Sequence, residues 1–367
     1  MSKAFNRMSH QQVIQDLFDM RVPGWLLLIL ISYLTDRRMM MKFRGVFSSL
    51  RLLPGSSPQG TVLGVILFII YFNGAALRPE IPRPVWPFFN TKKNDPEAVK
   101  LKFVDDLSIA VKVSLDDDLI VNLDRPKPLA YDARLETELK GSNILQSIMD
   151  NLAEFSRDRQ MKMNTKKSCI MKICKSRTKF FPTEIRVGDD EFLEVKKELK
   201  ILGIIIQPNL KWNSNTESIC KKAYRNMWTI RRMKVLGMDT FALLDYYMKE
   251  VRVHLELAVP VWHSGLTLKL SSDIERVQRV AVKIILDDRP YEQACSSLGL
   301  KPLSIRRMSL CERFALKTAD PISRHSDMFK PKKNIRTGLT TFREHFCRKG
   351  RFFKSPLPFL TRTLNGL

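Results

Sequence analysis

Apolar and polar residues alternate on both sides of an aspartate pair, Asp105-Asp106. Leu101 and Phe103 share one parity before the pair. After it, one parity holds Leu107, Ile109, Val111 and Val113. A period of two is typical of β-strands, so we predict a tight hairpin that carries both carboxylates at its tip.

The N-terminal part of the chain has helical periodicity broken by turn residues. Val13, Ile14, Leu17 and Phe18 fall on one helical face within residues 11–20. The predicted elements that follow are a helix from Trp25 to Tyr33, a hairpin of Arg38–Phe43 and Val46–Leu53 turning near Arg44-Gly45, a loop over Pro54–Gly60, and a helix from Val62 to Phe72.

The remaining pattern predicts mixed structure first and helices later. Residues 78–98 and 114–141 are proline-containing and polar, so we interpret both as surface excursions. The predicted elements beyond them are a helix from Ile144 to Arg159, a strand over Leu199–Ile206 interrupted by Gly203, and helices from Thr216, over Phe241–Val253, Asp273–Leu286 and Leu303–Lys317. After residue 320 the chain is basic and loop-like, which predicts a tail that is disordered or folded over nucleic acid.

Charge narrows the class of partner. The 367 residues carry a net charge of +24 with a pI near 9.9, which favours an extended anion such as nucleic acid. A membrane surface is the competing anion, but no lipidation signal is present and the apolar run Trp25–Leu34 is too short to span a bilayer. The first residues lack a signal-peptide arrangement, so we expect an intracellular protein of the nucleus or cytoplasm and no membrane partner.

Metal and redox chemistry follow from the acids and cysteines. Six cysteines form no C-x-x-C pair, so neither a zinc partner nor a disulfide framework is expected. Two adjacent carboxylates repel each other, and Mg²⁺ or Mn²⁺ is their natural counter-charge. An ordinary solvated Asp-Asp turn is the alternative at Asp105-Asp106. We interpret the run Asp116–Asp118 as a solvated turn.

Several stretches, in this order, resemble the reverse transcriptase domain of non-LTR (LINE-like) retrotransposons. The resemblance covers residues 1–318. It is carried by Ser2–Arg7, Val22–Leu26 with Ser32–Arg37, Ser57–Gly64, Phe103–Asp106, Met163–Lys167, Leu202-Gly203 with Leu210–Trp212, Glu256–Trp262 and Ile274–Arg279. Each motif is weak alone, and their order makes the solvated-turn alternative at Asp105-Asp106 less favoured.

The resemblance implies an α+β fold of the right-hand polymerase type. A small antiparallel sheet backed by helices would form the palm, and an all-helical thumb would follow it. The implied domains are residues 1–207 as palm with a remnant of the fingers, 208–320 as helical thumb and connection, and 321–367 as the basic C-terminal tail.

The same resemblance implies a role for each candidate residue. Asp105 would bind Mg²⁺ or Mn²⁺ with Asp106 as its partner, and Lys167, or its neighbour Lys166, would protonate pyrophosphate. Phe5 would exclude a nucleotide 2′-hydroxyl. Contacts to the template and nascent base pair would come from Pro58, Gln59 and Gly60, and contacts to primer–template phosphates from Lys221, Lys222, Arg225 and Arg232. The alternatives are a core phenylalanine, an ordinary loop, a solvated lysine and a solvated helix face.

One family position falls outside this sequence. The first motif of the family begins with an aspartate five residues before the gate aromatic, which places it before Met1, and Asn6 replaces a later acid. We therefore expect a domain truncated at its N-terminus whose polymerase activity is impaired. The implied function is an RNA-directed DNA polymerase acting on RNA template, DNA primer and dNTP. The alternatives are a non-enzymatic nucleic-acid-binding relic and a protein-interaction scaffold.

Overall fold

The computed structural model describes residues 7–53, 55–57, 61–73, 98–103, 106–111, 127–173, 184–187, 191–287, 289–323, 325–333, 340–344, 347 and 353–366. The helices in these ranges are α1 (His10–Asp19), α2 (Gly24–Leu34), α3 (Val62–Asn73), α4 (Lys127–Asp158), α5 (Asn213–Val235), α6 (Thr240–Tyr246), α7 (Arg252–Glu256), α8 (Val259–Trp262), α9 (Leu268–Leu286), α10 (Tyr291–Ser297), α11 (Leu303–Ala319) and α12 (Pro356–Asn365).

The described strands form two-stranded ladders. They are β1 (Arg38–Met39), β2 (Lys42–Phe43), β3 (Val46–Phe47), β4 (Arg51–Leu52), β5 (Ala98–Phe103), β6 (Asp106–Val111), β7 (Cys169–Ile170), β8 (Arg186–Val187), β9 (Glu191–Phe192), β10 (Glu194–Val195), β11 (Leu199–Ile201), β12 (Ile204–Ile206), β13 (Pro331–Lys333) and β14 (Thr340–Phe342). Six of these pairs are antiparallel, and β7 with β10 is parallel. The pairs β2–β3 and β1–β4 confirm the hairpin predicted around Arg44-Gly45.

The chain divides into two compact units. The first contains residues 1–170 and 179–195, and the second contains residues 171–178 and 196–367. The first unit has a core where α1, α2 and α3 meet the end of α4. Its buried members are Met8, Val13, Leu17, Leu30, Leu34, Leu67, Phe68, Tyr71, Phe72 and Met161. On α1 the predicted face is partly confirmed, because Val13 and Leu17 are buried whereas Phe18 is 65% exposed. Helices α2 and α3 are apolar on most of their surface, so periodicity did not mark their buried sides.

Helix α4 corrects the sequence-based prediction at its N-terminus. It begins at Lys127, whereas the apolar periodicity predicted a helix only from Ile144. Pro126 and Pro128 favoured a loop in the sequence, but proline is tolerated in the first turn of a helix, where its missing N–H costs nothing. The segment after Pro128 is rich in Leu, Ala and Glu, which form helices without an apolar stripe.

A second, smaller apolar cluster joins α4 to the strands that follow it. Ile185, Val187 and Leu193 are buried, and Leu145, Met149, Met163 and Ile170 pack against them. Gln146 fastens this contact with its side-chain amide. Its Oε1 accepts from the Arg186 amide at 2.9 Å, and its Nε2 donates to the Arg186 carbonyl at 3.2 Å. The side chain thus pairs with β8 as a neighbouring strand would.

In the second unit, α5 and α9 pack side by side and run parallel. The Cys220 thiol lies 4.0 Å from the Asp273 carbonyl oxygen, and Lys234 Nζ donates to Asp287 Oδ1 at 2.6 Å. Both contacts join residues 53 positions apart in sequence, so the two helices keep one register along their length. A stripe on α5 is buried in this unit; it consists of Asn215, Thr216, Ile219, Cys220, Ala223, Met227 and Ile230.

Two predictions in the second unit were wrong. The strand predicted over Leu199–Ile206 is a hairpin, in which β11 pairs with β12. Leu202 and Gly203 have φ values of 46° and 89°, the left-handed backbone that a two-residue hairpin turn needs. The loop-like tail predicted after residue 320 contains α12, whose Leu357, Leu360 and Leu364 are buried while the helix packs against α11.

Candidate metal and nucleic-acid sites

Asp106 stands at the turn of a β-hairpin, as the alternation predicted. Strands β5 and β6 pair antiparallel in a register that places Phe103 opposite Asp106 and Ala98 opposite Val111. Leu107, Ile109 and Val111 are half-buried, whereas the Asp106 side chain is exposed. Strand β6 packs against α4, which supports the hairpin on one side. Val104 and Asp105 complete the turn in sequence and lie outside the described residues.

The loop before the Pro-Gln-Gly motif is fastened to the segment that follows Phe5. The Ser56 amide donates to the Met8 carbonyl at 2.9 Å, and Ser9 forms an antiparallel bridge with Gly55. His10 Nε2 lies 2.8 Å from the Ser56 carbonyl oxygen. The structure therefore brings together the flanks of two motifs that are about 50 residues apart in sequence. Phe5, Pro58, Gln59 and Gly60 themselves lie outside the described residues.

The hydroxyl of Ser57 holds the other end of this loop. Ser57 is buried, and its Oγ donates to the Gly64 carbonyl oxygen in the first turn of α3. The Thr61 hydroxyl accepts from the Gly64 amide at 3.0 Å, so it caps the same helix. The residues on both sides of Pro58–Gly60 are thus held by hydrogen bonds, and α3 fixes the direction in which the chain leaves the loop.

Lys166 and Lys167 lie on a short 3₁₀ turn whose backbone is well fixed. Asn164 caps this turn, because its Oδ1 accepts from the Lys167 amide at 3.2 Å. The Ser168 hydroxyl donates to the Asn164 carbonyl at 2.9 Å. Both lysine side chains are exposed. The Asn-Thr-Lys-Lys sequence therefore presents two cations on a rigid backbone, and the hydrogen bonds do not distinguish one lysine from the other as a proton donor.

Asp16 has a structural partner. The guanidinium of Arg159 forms a two-pronged ion pair with it, at 2.5 Å from Nη1 to Oδ2 and 2.9 Å from Nη2 to Oδ1. Arg159 also lies over the Tyr71 ring, at 5.3 Å from its centroid, and the Tyr71 hydroxyl donates to the Arg159 carbonyl. Burial raises the pKa of Tyr71. These contacts join α1 and α3 to the residue that follows α4, so Asp16 stabilises the fold here.

The outer side of α5 is basic and carries an exposed tryptophan. Lys221, Arg225 and Arg232 are exposed and project opposite the buried stripe of the helix. Trp228 lies among them with 65% of its surface exposed, and the Arg232 guanidinium is 5.9 Å from its ring centroid. Lys222 is half-buried and lies to one side. We call Lys221, Arg225, Trp228 and Arg232 the α5 outer face.

Two stretches that carry the resemblance in the second unit have structural roles. Trp262 is completely buried, and its indole N–H donates to the Leu257 carbonyl at 2.8 Å. Glu256 forms a two-pronged ion pair with Arg306. In the other stretch, Glu275 accepts from the Leu303 and Ser304 amides at 3.1 and 3.2 Å, which caps α11. These residues position the helices behind α5, and their polar side-chain atoms are already paired within the unit.

A polar chain crosses the interior of the second unit. The Tyr247 hydroxyl donates to Gln278 Oε1 at 2.7 Å, and Gln278 Nε2 donates to the Tyr291 hydroxyl at 2.8 Å. The Tyr291 hydroxyl donates to Glu275 Oε1 at 2.6 Å. Burial raises the pKa of both tyrosines. Because the phenols stay neutral, the chain keeps its donors and acceptors matched across the neutral pH range.

Burial also shifts the titration of groups near Arg307, which is completely buried. It lowers the pKa of His263 to about 4, with a further contribution from the Arg307 charge. It raises the pKa of Cys220 to about 11 and the pKa of Cys311 to about 12. A thiol must lose its proton to attack or to bind a metal, so these two cysteines are packing residues.

Of the two carboxylates at the hairpin turn, the structure describes that of Asp106. Asp106 offers an exposed carboxylate, and Asp105 precedes it in the same turn of sequence. Carboxylate oxygens open to water suit Mg²⁺ or Mn²⁺. Within the part of the chain that the structure describes, no group of three or more His, Cys, Asp or Glu residues could hold a metal ion. No described helix is both long enough and apolar enough to cross a membrane.

The comparisons with known proteins agree with the resemblance. No family model matches the chain. It is 22% identical over 342 residues to a protein of Drosophila melanogaster described as a probable RNA-directed DNA polymerase from transposon BS. The match covers 90% of this chain. The chain contains a non-LTR reverse transcriptase-like region. This region spans about a third of the relative, 32% of its length.

The candidate residues of the reverse transcriptase-like region differ in their exposure to solvent. Asp106, Lys167, Lys221, Arg225 and Arg232 are exposed, and Lys222 is half-buried. Trp228 was not predicted from the sequence. Its signal was spacing, because it follows Lys221 by seven residues and precedes Arg232 by four, which puts all three on one side of a helix.

Proposed function

We propose that this chain is the RNA-directed DNA polymerase domain of a retrotransposon and extends a DNA primer on an RNA template. The observation that carries the proposal is the β5–β6 turn, which presents Asp106 to solvent in the register that the Phe-Val-Asp-Asp motif predicts. The relative, described as a polymerase, matches almost all of the chain and supports the same assignment. We propose a right-hand arrangement in which the first unit is the palm and α5 with its neighbours is the thumb.

The metal-binding part of the proposal rests on Asp105 and Asp106. Together they would hold Mg²⁺ or Mn²⁺, which supplies charge neutralisation for a triphosphate and a more acidic primer hydroxyl when bound. The antiparallel pairing of β5 and β6 fixes the backbone on which Asp106 stands. Asp106 is the first residue of β6, and a catalytic carboxylate is positioned more precisely on a paired strand than on a loop.

Three other groups would serve the same reaction. Lys167, or Lys166 beside it, would donate a proton to the leaving pyrophosphate from the turn capped by Asn164. Phe5 would face the sugar of the incoming dNTP, and Pro58–Gly60 would contact the template. The hydrogen bond between Ser56 and Met8 supports this grouping, because it holds the flanks of both motifs together.

Primer extension tests the polymerase proposal. The 367-residue chain is incubated with a DNA primer annealed to an RNA template, dNTPs, and Mg²⁺ or Mn²⁺. We expect extension that Asp105→Ala and Asp106→Ala abolish and that Asp116→Ala leaves unchanged, because we predict a solvated turn at Asp116. Extension that survives Asp105→Ala would overturn the assignment.

A non-enzymatic nucleic-acid-binding function is the second candidate. It is favoured by the α5 outer face, where Lys221, Arg225 and Arg232 are exposed. Binding through these cations would not require the Asp105-Asp106 turn. In this case the chain binds primer–template and does not extend it under any metal condition. Binding measured by fluorescence anisotropy separates the two functions. Asp105→Ala leaves the affinity unchanged in both, whereas extension by the unmodified chain occurs only in the first.

A further inference from the structure

Trp228 is exposed in a unit that buries other tryptophans. Trp262 is completely buried and Trp212 is 8% exposed, whereas Trp228 is 65% exposed on the outer face of α5. A tryptophan in water leaves a large apolar surface without a partner, and such residues mark contact sites more often than other exposed side chains do. The buried stripe of α5 already packs against α9, so Trp228 contributes nothing to that contact.

The surroundings of Trp228 are cationic. Arg225 precedes it by three residues and Arg232 follows it by four, and both are exposed. The Arg232 guanidinium lies 5.9 Å from the ring centroid. Helix α5 contains six cationic residues, Lys221, Lys222, Arg225, Arg231, Arg232 and Lys234, against one acid, Glu217. A ligand for this face must therefore be an anion that also offers a flat apolar surface.

We propose that Trp228 stacks on an unpaired base of single-stranded nucleic acid whose phosphates lie against Lys221, Arg225 and Arg232. A base offers a flat π-face, and its strand supplies a phosphate at every step, so one ligand satisfies both features of the α5 outer face. Bases inside a duplex have no free face, which makes the single strand the preferred ligand. The proposal deepens the nucleic-acid-binding role given above and rests on it.

Binding of a labelled single strand and of a duplex of the same sequence tests the proposal. Both affinities are measured by anisotropy over a range of salt concentrations for the unmodified chain, Trp228→Ala, Trp228→Phe and Trp25→Ala. Trp25 is the matched control, because it is 67% exposed and lies on the apolar helix α2. We expect Trp228→Ala to weaken single-strand binding by about 5- to 100-fold without changing its salt dependence. Trp228→Phe keeps most of the affinity, and Trp25→Ala binds as the unmodified chain does.

Several outcomes would overturn the stacking proposal. One is that Trp228→Ala binds the single strand normally while the double variant Lys221→Glu, Arg225→Glu binds it weakly. This result would refute stacking and leave the nucleic-acid-binding role intact. Another is equal weakening for single strand and duplex. Polyglutamate is the competing probe. If the unmodified chain binds it as tightly as the single strand, and Trp228→Ala weakens both affinities equally, the ligand is an acidic polypeptide instead. If no variant changes binding, the proposed role of the whole face fails as well.

Discussion

The backbone amide of Ser56 donates a hydrogen bond of 2.9 Å to the carbonyl oxygen of Met8. Met8 follows Phe5 by three residues, and Ser56 precedes Pro58 by two. Two motifs that are far apart in sequence therefore share one support. That support requires glycine at position 55, because a β-carbon there would lie 2.9 Å from the same Met8 oxygen.

Gly55→Ala is expected to destabilise the first unit by about 1–3 kcal/mol, since the Met8 backbone must shift to make room. Gly24→Ala is the matched control. Gly24 begins α2, and a β-carbon at this position would have no other atom within 4 Å, so this change is neutral or stabilises by about 0.5–1 kcal/mol. Urea unfolding of both variants measures the difference. Equal midpoints would show that the Met8–Ser56 contact is not rigid.

The ion pair between Asp16 and Arg159 is expected to stabilise the first unit strongly. Both side chains are largely buried, with 14% and 17% of their surfaces exposed. Asp16→Ala leaves the guanidinium without its carboxylate, so we expect a loss of about 3 kcal/mol in the free energy of unfolding. Asp245→Ala removes the exposed partner of Lys249 and should cost about 0.5 kcal/mol. A double-mutant cycle with Arg159→Ala isolates the pairwise energy, and a coupling near zero would contradict this interpretation.

His263 is expected to make stability fall in acid. Its pKa in the folded protein is lowered to about 4 by burial and by Arg307, whereas an unfolded histidine titrates near 6.5. Between these values the unfolded chain binds more protons than the folded one does, so stability rises with pH across this window and is fully present above it. The slope of unfolding free energy against pH from about 4 to about 6.5 should be smaller in His263→Gln. An unchanged slope would mean that His263 does not protonate on unfolding.

Charge reversal on the α5 outer face should weaken nucleic-acid binding and reduce its salt dependence. On the proposed role, Lys221→Glu and Arg225→Glu each remove one phosphate contact, so the slope of log affinity against log salt should fall by about 1 per change. Lys301→Glu, in the loop between α10 and α11, is a control that alters net charge equally at another exposed position. A fall of the same size in the control would show that only the total charge matters.

The sequence predicted local elements well where periodicity and turn residues agreed. The helices around Val13 and Leu17, the hairpin at Arg44-Gly45 and the hairpin of β5 and β6 are all found. In each, the side that the pattern marks as apolar has a neighbouring element to pack against, or the turn has a residue suited to it. Local pattern and tertiary packing demand the same structure there.

The failures have equally local causes. The first turns of α4 form from residues with helix propensity but no apolar stripe, so periodicity missed them. The β11–β12 turn uses Leu202 at a positive φ, and leucine is an unusual residue in that conformation. Apolar residues on both sides of Gly203 made the segment resemble one interrupted strand, which hid the turn.

The candidate residues were named from the sequence, but the residues that surround them were named less completely. The acids of the Asp-Asp turn were named from the alternation on both sides of them, and the cations of α5 were named from the family resemblance. Trp228 was not, since exposure is a property of the fold and a tryptophan in a helix is ordinarily buried. Glu275 and Gln278 lie in a stretch that supports the resemblance, and only the structure shows that they cap and join helices.

The contact between α5 and α9 fixes the spacing of the side chains on the α5 outer face. Cys220 contacts Asp273 of α9, and Lys234 pairs with Asp287, the residue that follows α9, so α5 meets the same neighbour at both positions. At a rise of about 1.5 Å per residue, Lys221 and Arg232 stand about 16 Å apart along the helix axis. The distance between the cations at the two ends of this face is therefore set by the two packed helices. It does not depend on the sequence of the strand proposed to bind there.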